Sequence, residues 1–253
     1  MSDVHVCEVV DNKLLNETSF AINIYCGELA KKAQPGQFLH IQCGEGLILR
    51  RPIGISGVNG DVLEFVFEVK GKGTGWLSRQ EMGTFLNIMG PLGNGYHIPD
   101  RNIIVVGGGL GSPPMLFAAE TAKKGVTAVL GFRDASRVML VKEFTSVCDR
   151  VILTTDDGSM GTKGQVTGPL EELLEEGGYD TVITCGQFAM MHSVAKLCEK
   201  YGVSCQVSLE ERMGCGVGAC LVCTCAVYRD GGEYMSRVCK DGPVFNAKDV
   251  VWQ

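Results

Sequence analysis

The hydrophobic rhythm of the chain changes near residue 100. Before that point apolar and polar residues alternate over short spans: weakly from Phe20 to Tyr25, better from Gln37 to Gln42, and best from Val62 to Val69. A period of two marks a half-buried strand. Glycine, proline and asparagine bound these spans, which predicts an antiparallel β-barrel over residues 1–100. The stretch Gly75 to Gln80 predicts one short helix between strands, and the glycine-rich Gly90 to Gly95 reads only as a loop.

Past Pro99-Asp100-Arg101 the pattern becomes strand, helix, strand. Apolar strands are predicted at Ile103–Val106, Thr127–Leu130, Val151–Thr155, Thr181–Thr184 and Val203–Ser208. Helices are predicted from Pro113 to Lys124, Met139 to Val147, Pro169 to Glu176 and Phe188 to Tyr201, with prolines accommodated in the first turn. Short apolar strands alternating with helices predict a doubly wound parallel sheet over residues 101–208, which binds ligands beyond the carboxyl ends of its strands. Residues 209–253 remain as a small C-terminal module. The expected fold is multidomain, β plus α/β.

Composition narrows the function. The formal net charge of −6, from 23 basic and 29 acidic residues, argues against a general nucleic-acid binder. No apolar run approaches a membrane span. The start MSDVHVCEVVDNK lacks a basic and then apolar leader, so a cytoplasmic chain is expected. In that setting the twelve cysteines are expected as metal ligands and free thiols. Cys7, Cys26, Cys43, Cys148, Cys198 and Cys205 stand singly and are expected to pack in the core or at its edge.

Four cysteines stand apart. Cys215, Cys220, Cys223 and Cys239 read C-x4-C-x2-C, then fifteen residues, then C. That is the spacing of a plant-type [2Fe–2S] site. Glycines at 214, 216 and 218 let the backbone wrap closely around it. A zinc site is the competing reading, but zinc favours paired CxxC or histidine, and no histidine follows His192. Cys225 competes as a ligand because it faces the same side of a strand as Cys223; the spacing favours Cys223.

Four weaker signals concern nucleotides. Gly107 to Pro114 (GGGLGSPP) joins the first parallel strand to its helix, where small residues let a phosphate approach a helix N-terminus. A tight turn without ligand would use the same residues. After the second strand, Arg133 suits a 2′-phosphate and Asp134 a ribose hydroxyl, and the sequence leaves both open. In the barrel, Arg50 to Ser56 sets cationic groups beside a proline-restrained backbone, and Lys70 to Gly75 forms a glycine turn before a helix. A solvated arginine and a plain hairpin end are the alternatives.

In that order, Arg51-Pro52, the Gly73-Thr74 turn, GPLGNG at 90–95, GGGLGSPP at 107–114 and CGQFAMM at 185–191 resemble the ferredoxin reductase-like flavoproteins. SLEERMGCGVGAC at 208–220 resembles one branch of them, the electron-transfer subunits of class 1B dihydroorotate dehydrogenases. The resemblance covers nearly the whole chain. It implies FAD held by Arg51, Pro52, Ile53, Gly54, Val66, Phe67, Glu68, Gly73 and Thr74. It implies NAD(H) beside Gly107, Gly108, Gly109, Gly111, Pro114, Cys185 and Gly186, and a [2Fe–2S] cluster on Cys215, Cys220, Cys223 and Cys239. The implied partner is an FMN-containing catalytic subunit that oxidises dihydroorotate in pyrimidine biosynthesis, in a heterotetramer of two of each chain. One departure is visible: the family's Arg-Pro-x-Ser/Thr ends here in Gly54, so a backbone amide or Ser56 is left to replace the hydroxyl.

Electron counting gives the order of the relay. A nicotinamide exchanges two electrons, a [2Fe–2S] cluster one, and a flavin both, which places the flavin between them. No side-chain acid or base is needed, so none is assigned as catalytic. His40, His97 and His192 are expected at the surface or in ordinary hydrogen bonds, and Glu210 and Glu211 either orient the flavin or lie on a solvated face. Other readings stay open: an NAD(P)H-dependent reductase subunit for a ferredoxin- or sulfide-linked partner, a non-enzymatic cluster-based redox sensor, and a zinc-stabilised binding module.

Overall fold

The computed structural model describes residues 4–123 and 125–252. Its first part runs β1 (Val4–Leu14), β2 (Ser19–Tyr25), α1 (Gly27–Lys32), β3 (Phe38–Ile41), β4 (Arg51–Asn59), β5 (Val62–Glu68), α2 (Lys72–Leu77) and β6 (Phe85–Leu92). The six strands close into an antiparallel barrel in the order β1-β2-β5-β4-β3-β6. Alternation decides what fills it: Ile22, Ile24, Leu39, Ile41, Ile53, Ile55, Leu63, Phe65, Phe67, Leu86 and Ile88 share one buried cluster. Burying a side chain of this size is worth about 1.5–3 kcal/mol.

Two local expectations are corrected. The helix expected at Gly75–Gln80 starts earlier, at Lys72, because the Thr74 hydroxyl accepts the amides of Lys70 (2.9 Å) and Gly71 (3.2 Å) and fixes the N-terminal turn there. Gly90, Pro91 and Leu92, read as loop, are the end of β6. Leu92 pairs with Phe38 after a register shift in β3, and such irregularities admit a proline into a ladder.

The second part runs β7 (Ile103–Gly108), α3 (Ser112–Thr121), β8 (Val126–Phe132), α4 (Val141–Val147), β9 (Arg150–Thr155), β10 (Thr162–Lys163), α5 (Thr167–Glu176), β11 (Thr181–Cys185), α6 (Phe188–Tyr201) and β12 (Ser204–Ser208). Lys124, the expected end of the first helix, lies outside the described residues. The five expected strands are present and parallel. Ile103 and Val105 face the side covered by α3 and Phe144 of α4, while Ile104 and Val106 face α5 and α6. Two buried faces explain why these strands read as unbroken apolar runs.

The C-terminal segment forms a hairpin, β13 (Thr224–Arg229) with β14 (Gly232–Arg237), and then β15 (Val244–Asn246). β15 joins the large sheet antiparallel to β12, giving the order β10-β9-β8-β7-β11-β12-β15. The segment also covers the outer face of the barrel. Phe38 and Leu92 share a buried cluster with Cys223, Val238 and Cys239, and Asn94 donates its side-chain amide to the Asp241 carbonyl at 2.9 Å. Among the described residues no helix is long and apolar enough to cross a membrane.

Candidate functional site

The two flavin motifs of the barrel meet in space. The Arg51 guanidinium lies over Gly73 at the start of α2, so closely that a Cβ on Gly73 would come 2.9 Å from its Cζ. Arg51 is also fixed by a hydrogen bond from Nη1 to the Leu49 carbonyl. The first amides of α2 have no intrahelical partner, so a cation and free N–H groups share one spot. On β5 the residues divide by face. Phe67 turns into the barrel and stacks on Phe20 with centroids 6.0 Å apart, leaving only its backbone to a ligand. Val66 packs toward the parallel-sheet part and Glu68 lines the seam. On β4 Ile53 points inward, and a Cβ on outward-facing Gly54 would sit 3.1 Å from Cγ of Pro114 in α3. The missing hydroxyl thus coincides with a close approach between the barrel and α3. Ser56 does not replace it: Ser56 is buried, and its Oγ accepts the Val66 amide at 3.1 Å where β4 bulges against β5.

A crevice of about 660 Å³ opens at this seam. The barrel contributes Ser19, Glu68 and Lys70; the parallel sheet contributes Gly108, Gly109, Gly111, Arg133, Thr154, Asp156, Gly186, Gln187 and Met190. These residues lie at the carboxyl ends of β7, β8, β9 and β11, where doubly wound sheets take ligands. Glycine is required at Gly111, where a Cβ would run into the Cys185 carbonyl; at Gly108 a Cβ would meet only the Met190 thioether, which can swing aside. Gly107 packs on Ser112, so it shapes the turn from behind. Cys185 is buried, and burial followed by the charge of Glu210 pushes its thiol up to about 12. Of the two residues left open after the second strand, Arg133 lines the crevice, whereas Asp134 is used as a cap, its Oδ1 accepting the Ser136 amide at 2.9 Å. Ser112 Oγ and Thr184 Oγ1, close behind the glycine turn, are buried without a partner. Glu210 opens onto the crevice, yet protein crowds it enough to raise its carboxyl, with Lys70 pulling the other way. Sequence reasoning missed Thr154, Asp156 and Arg137. The strand-end rule would have found the first two; Arg137 carries no local signal.

The cysteine loop is built around sulfur. The amides of Val217, Ala219 and Cys220 point at Cys215 Sγ at 3.3–3.4 Å, the Gly218 amide at Cys239 Sγ at 3.2 Å, and the Cys239 amide at Cys223 Sγ at 3.4 Å. Burial raises the Cys215 thiol, but the Val217 and Cys220 amides, then the Cys220 side chain and the Ala219 amide, more than offset it and bring it to about 6. Backbone donors aimed at thiolate sulfur are the environment an iron–sulfur cluster requires. Backbone donors link the cysteines in pairs: the Cys215 amide donates to Cys220 Sγ at 3.4 Å, and the Cys239 amide to Cys223 Sγ at 3.4 Å. Among the described residues no three or more His, Cys, Asp or Glu side chains stand grouped as a metal site. Cys225 lies within β13 opposite Ser236 and packs against the apolar cluster; burial, Glu211 and Cys223 raise it to about 11.

The histidines differ from expectation at one position. His97 is exposed and His192 stacks on Trp252 at 5.0 Å. His40 is neither at the surface nor hydrogen-bonded: it is 0% exposed and both ring nitrogens lack partners. The strand alternation sends Leu39 and Ile41 inward and leaves His40 outward, under the C-terminal segment. Burial first, then Arg50 and Arg51, lowers its pKa to about 4; the Arg50 carbonyl opposes this, without forming a hydrogen bond to the ring.

Residues 210–251 match the family model of the iron-sulfur cluster binding domain of dihydroorotate dehydrogenase B. The electron transfer subunit of dihydroorotate dehydrogenase B (NAD(+)) from Caldanaerobacter subterraneus subsp. tengcongensis is 40% identical over 224 residues, covering 88% of this chain and 89% of that one. The chain belongs to this family of electron transfer subunits. The Desulforamulus reducens member is 38% identical over 260 residues and covers 97% of this chain and 99% of its own. Among solved structures, an NADH-dependent reduced ferredoxin-NADP oxidoreductase studied for flavin-based electron bifurcation superimposes with a TM-score of 0.87 at 32% identity, over 100% of this chain and 92% of that one. The ferredoxin reductase of carbazole 1,9a-dioxygenase, at 19% identity and a TM-score of 0.68, covers 79% of this chain and 66% of its own and shares the fold.

Proposed function

We propose that this electron transfer subunit carries electrons between NAD(H) and the FMN of a dihydroorotate dehydrogenase catalytic subunit, in pyrimidine biosynthesis. Residues 1–100 hold FAD, 101–208 take NAD(H), and 209–253 carry a [2Fe–2S] cluster. The backbone amides aimed at the sulfurs of Cys215, Cys220, Cys223 and Cys239, on the outer face of β3, support this reading. When bound, the flavin exchanges a hydride with the nicotinamide and single electrons with the cluster.

The chain's own residues bind and orient. Arg51 and the first amides of α2 offer charge and donors to a pyrophosphate. Gly108, Gly109 and Gly111 let a dinucleotide approach the end of β7, with Arg133 at the second strand. Pro114, Cys185 and Gly186 border the same turn. The amides of the cysteine loop offset negative charge at the sulfurs. The loop also presents apolar side chains outward, Leu221 at 62%, Val222 at 55% and Val217 at 39% exposure. An apolar patch around an electron outlet suits a protein partner. The reading is of a cytoplasmic heterotetramer with two copies of each subunit.

A second reading, a reductase subunit serving a ferredoxin- or sulfide-linked partner, is favoured by the likeness to the ferredoxin-NADP oxidoreductase. Anaerobic co-purification separates them. Recovery of an FMN-containing partner that reduces the cluster on addition of dihydroorotate supports the first; a partner without FMN, and no reduction by dihydroorotate, supports the second.

A further inference from the structure

His40 is a buried polar side chain that the hydride and electron chemistry above does not use. On one side it belongs to the flavin-bearing wall, since β3 pairs His40 with Pro52 of β4, and the His40 carbonyl accepts Arg50 Nη1 at 3.2 Å. On the other side its ring meets the cysteine loop. Gly216 packs so closely that a Cβ there would lie 2.6 Å from Nδ1 and 3.2 Å from Cε1. Gly216 follows Cys215 directly, and its φ of +73° turns the loop so that its Cα rests on the imidazole.

A neutral imidazole has one N–H to place. At 0% exposure that donor has no bulk water, and no polypeptide acceptor, the nearby Arg50 carbonyl included, reaches hydrogen-bond geometry with either nitrogen. Buried donors are seldom left unmet. A buried donor that the polypeptide leaves unmet is met by ordered water or by a bound group, and the ring abuts the cluster loop rather than the seam with α3, which Gly54 faces.

We propose that His40 is a positioning residue for the cluster: its ring N–H donates to a sulfur at the Cys215 edge, favouring the reduced cluster and holding it in register with the flavin strand. This rests on the cluster reading of the four cysteines. A donor to cluster sulfur stabilises the extra negative charge of the reduced state, so it raises the potential. No bond would be made or broken: the cluster would take one electron from the flavin, and the His40 N–H would offset part of the added negative charge.

The test uses the full chain, purified anaerobically with ¹⁵N-labelled histidine, beside His40→Gln and His40→Leu. Iron and sulfide are assayed first; their absence from the wild type overturns the cluster reading and this proposal with it. With the cluster present, pulsed EPR of the reduced protein is expected to show a histidine ¹⁵N coupling that both substitutions remove. Potentiometry is expected to show a lower cluster potential in His40→Leu, by about tenfold in the one-electron equilibrium with FAD or about 59 mV, and partial recovery in His40→Gln, whose amide still donates. A wild-type cluster without histidine coupling overturns the proposal even where His40→Leu fails to fold. So does an unchanged potential in a His40→Leu protein that keeps its iron and sulfide.

Discussion

Glu68 and Arg137 face each other across the seam between barrel and parallel sheet, with Oε1 and Nη1 2.6 Å apart. Arg137 also donates to Thr18 Oγ1 at 2.6 Å, and Thr18 donates to Glu68 at 3.2 Å. The pair therefore ties the barrel to the parallel-sheet part. Burial tends to raise the Glu68 carboxyl, but Lys70, Arg137 and Thr18 outweigh it and hold the pKa below its usual value. A depressed carboxylate stabilises the fold above its unfolded pKa, about 4.3, and loses that contribution as pH falls through the folded value. With FAD in excess, Glu68→Gln is expected to lose about 1 kcal/mol at pH 7 after allowance for solvent screening. The gap to wild type is expected to close well below about pH 4. Urea midpoints at both pH values check this; an equal gap at both removes the ion pair from the account.

Arg51→Ala is expected to weaken FAD retention about ten- to a hundredfold, the usual cost of one lost hydrogen bond to a charged group. Flavin release on dilution, followed by fluorescence, measures it. Undiminished flavin stoichiometry takes Arg51 out of the site.

Gly111→Ala drives a methyl into the Cys185 carbonyl, and backbone on both sides cannot yield. The expected cost is about 1–3 kcal/mol of stability, with slower reduction of bound FAD by NADH. Gly109→Ala meets open space, and its φ of +54° leaves only the left-handed backbone penalty, about 1–2 kcal/mol. Both variants are compared by thermal melting and NADH titration. Equal NADH affinity in Gly111→Ala and wild type contradicts the placement of the dinucleotide at this turn.

Cys220→Ser is expected to abolish the visible cluster absorbance and partner reduction while NADH still reduces FAD. Cys225→Ser, within β13 rather than in the amide-ringed loop, is expected to keep the cluster. Iron content and spectra of the two proteins decide it. Loss of iron from Cys225→Ser with Cys223 intact reverses the ligand assignment.

The sequence made the barrel, the parallel sheet and the cysteine quartet legible because each rests on a local period or spacing. Val62–Val69 alternates, Ile103–Val106 does not, and the cysteines stand at fixed intervals. What escaped depends on distant pairing. Gly90–Leu92 is strand only because Phe38 pairs with Leu92. β15 is an edge strand only because β12 lies beside it. Ser56 looked available for the flavin, but a bulge between β4 and β5 claims its hydroxyl. His40 looked ordinary because nothing in FLHI announces that a loop more than 170 residues away covers its outer face. Arg137, which closes the seam, was invisible for the same reason.

The relay from nicotinamide through flavin to cluster is tested most directly by adding NADH to the anaerobically purified chain and following visible absorbance together with low-temperature EPR. The account predicts bleaching of a bound flavin and a reduced [2Fe–2S] signal in the same sample, with dihydroorotate and the FMN-containing subunit producing that signal from the opposite direction. A flavin that bleaches while the cluster stays oxidised, or a colourless protein containing zinc, would contradict it.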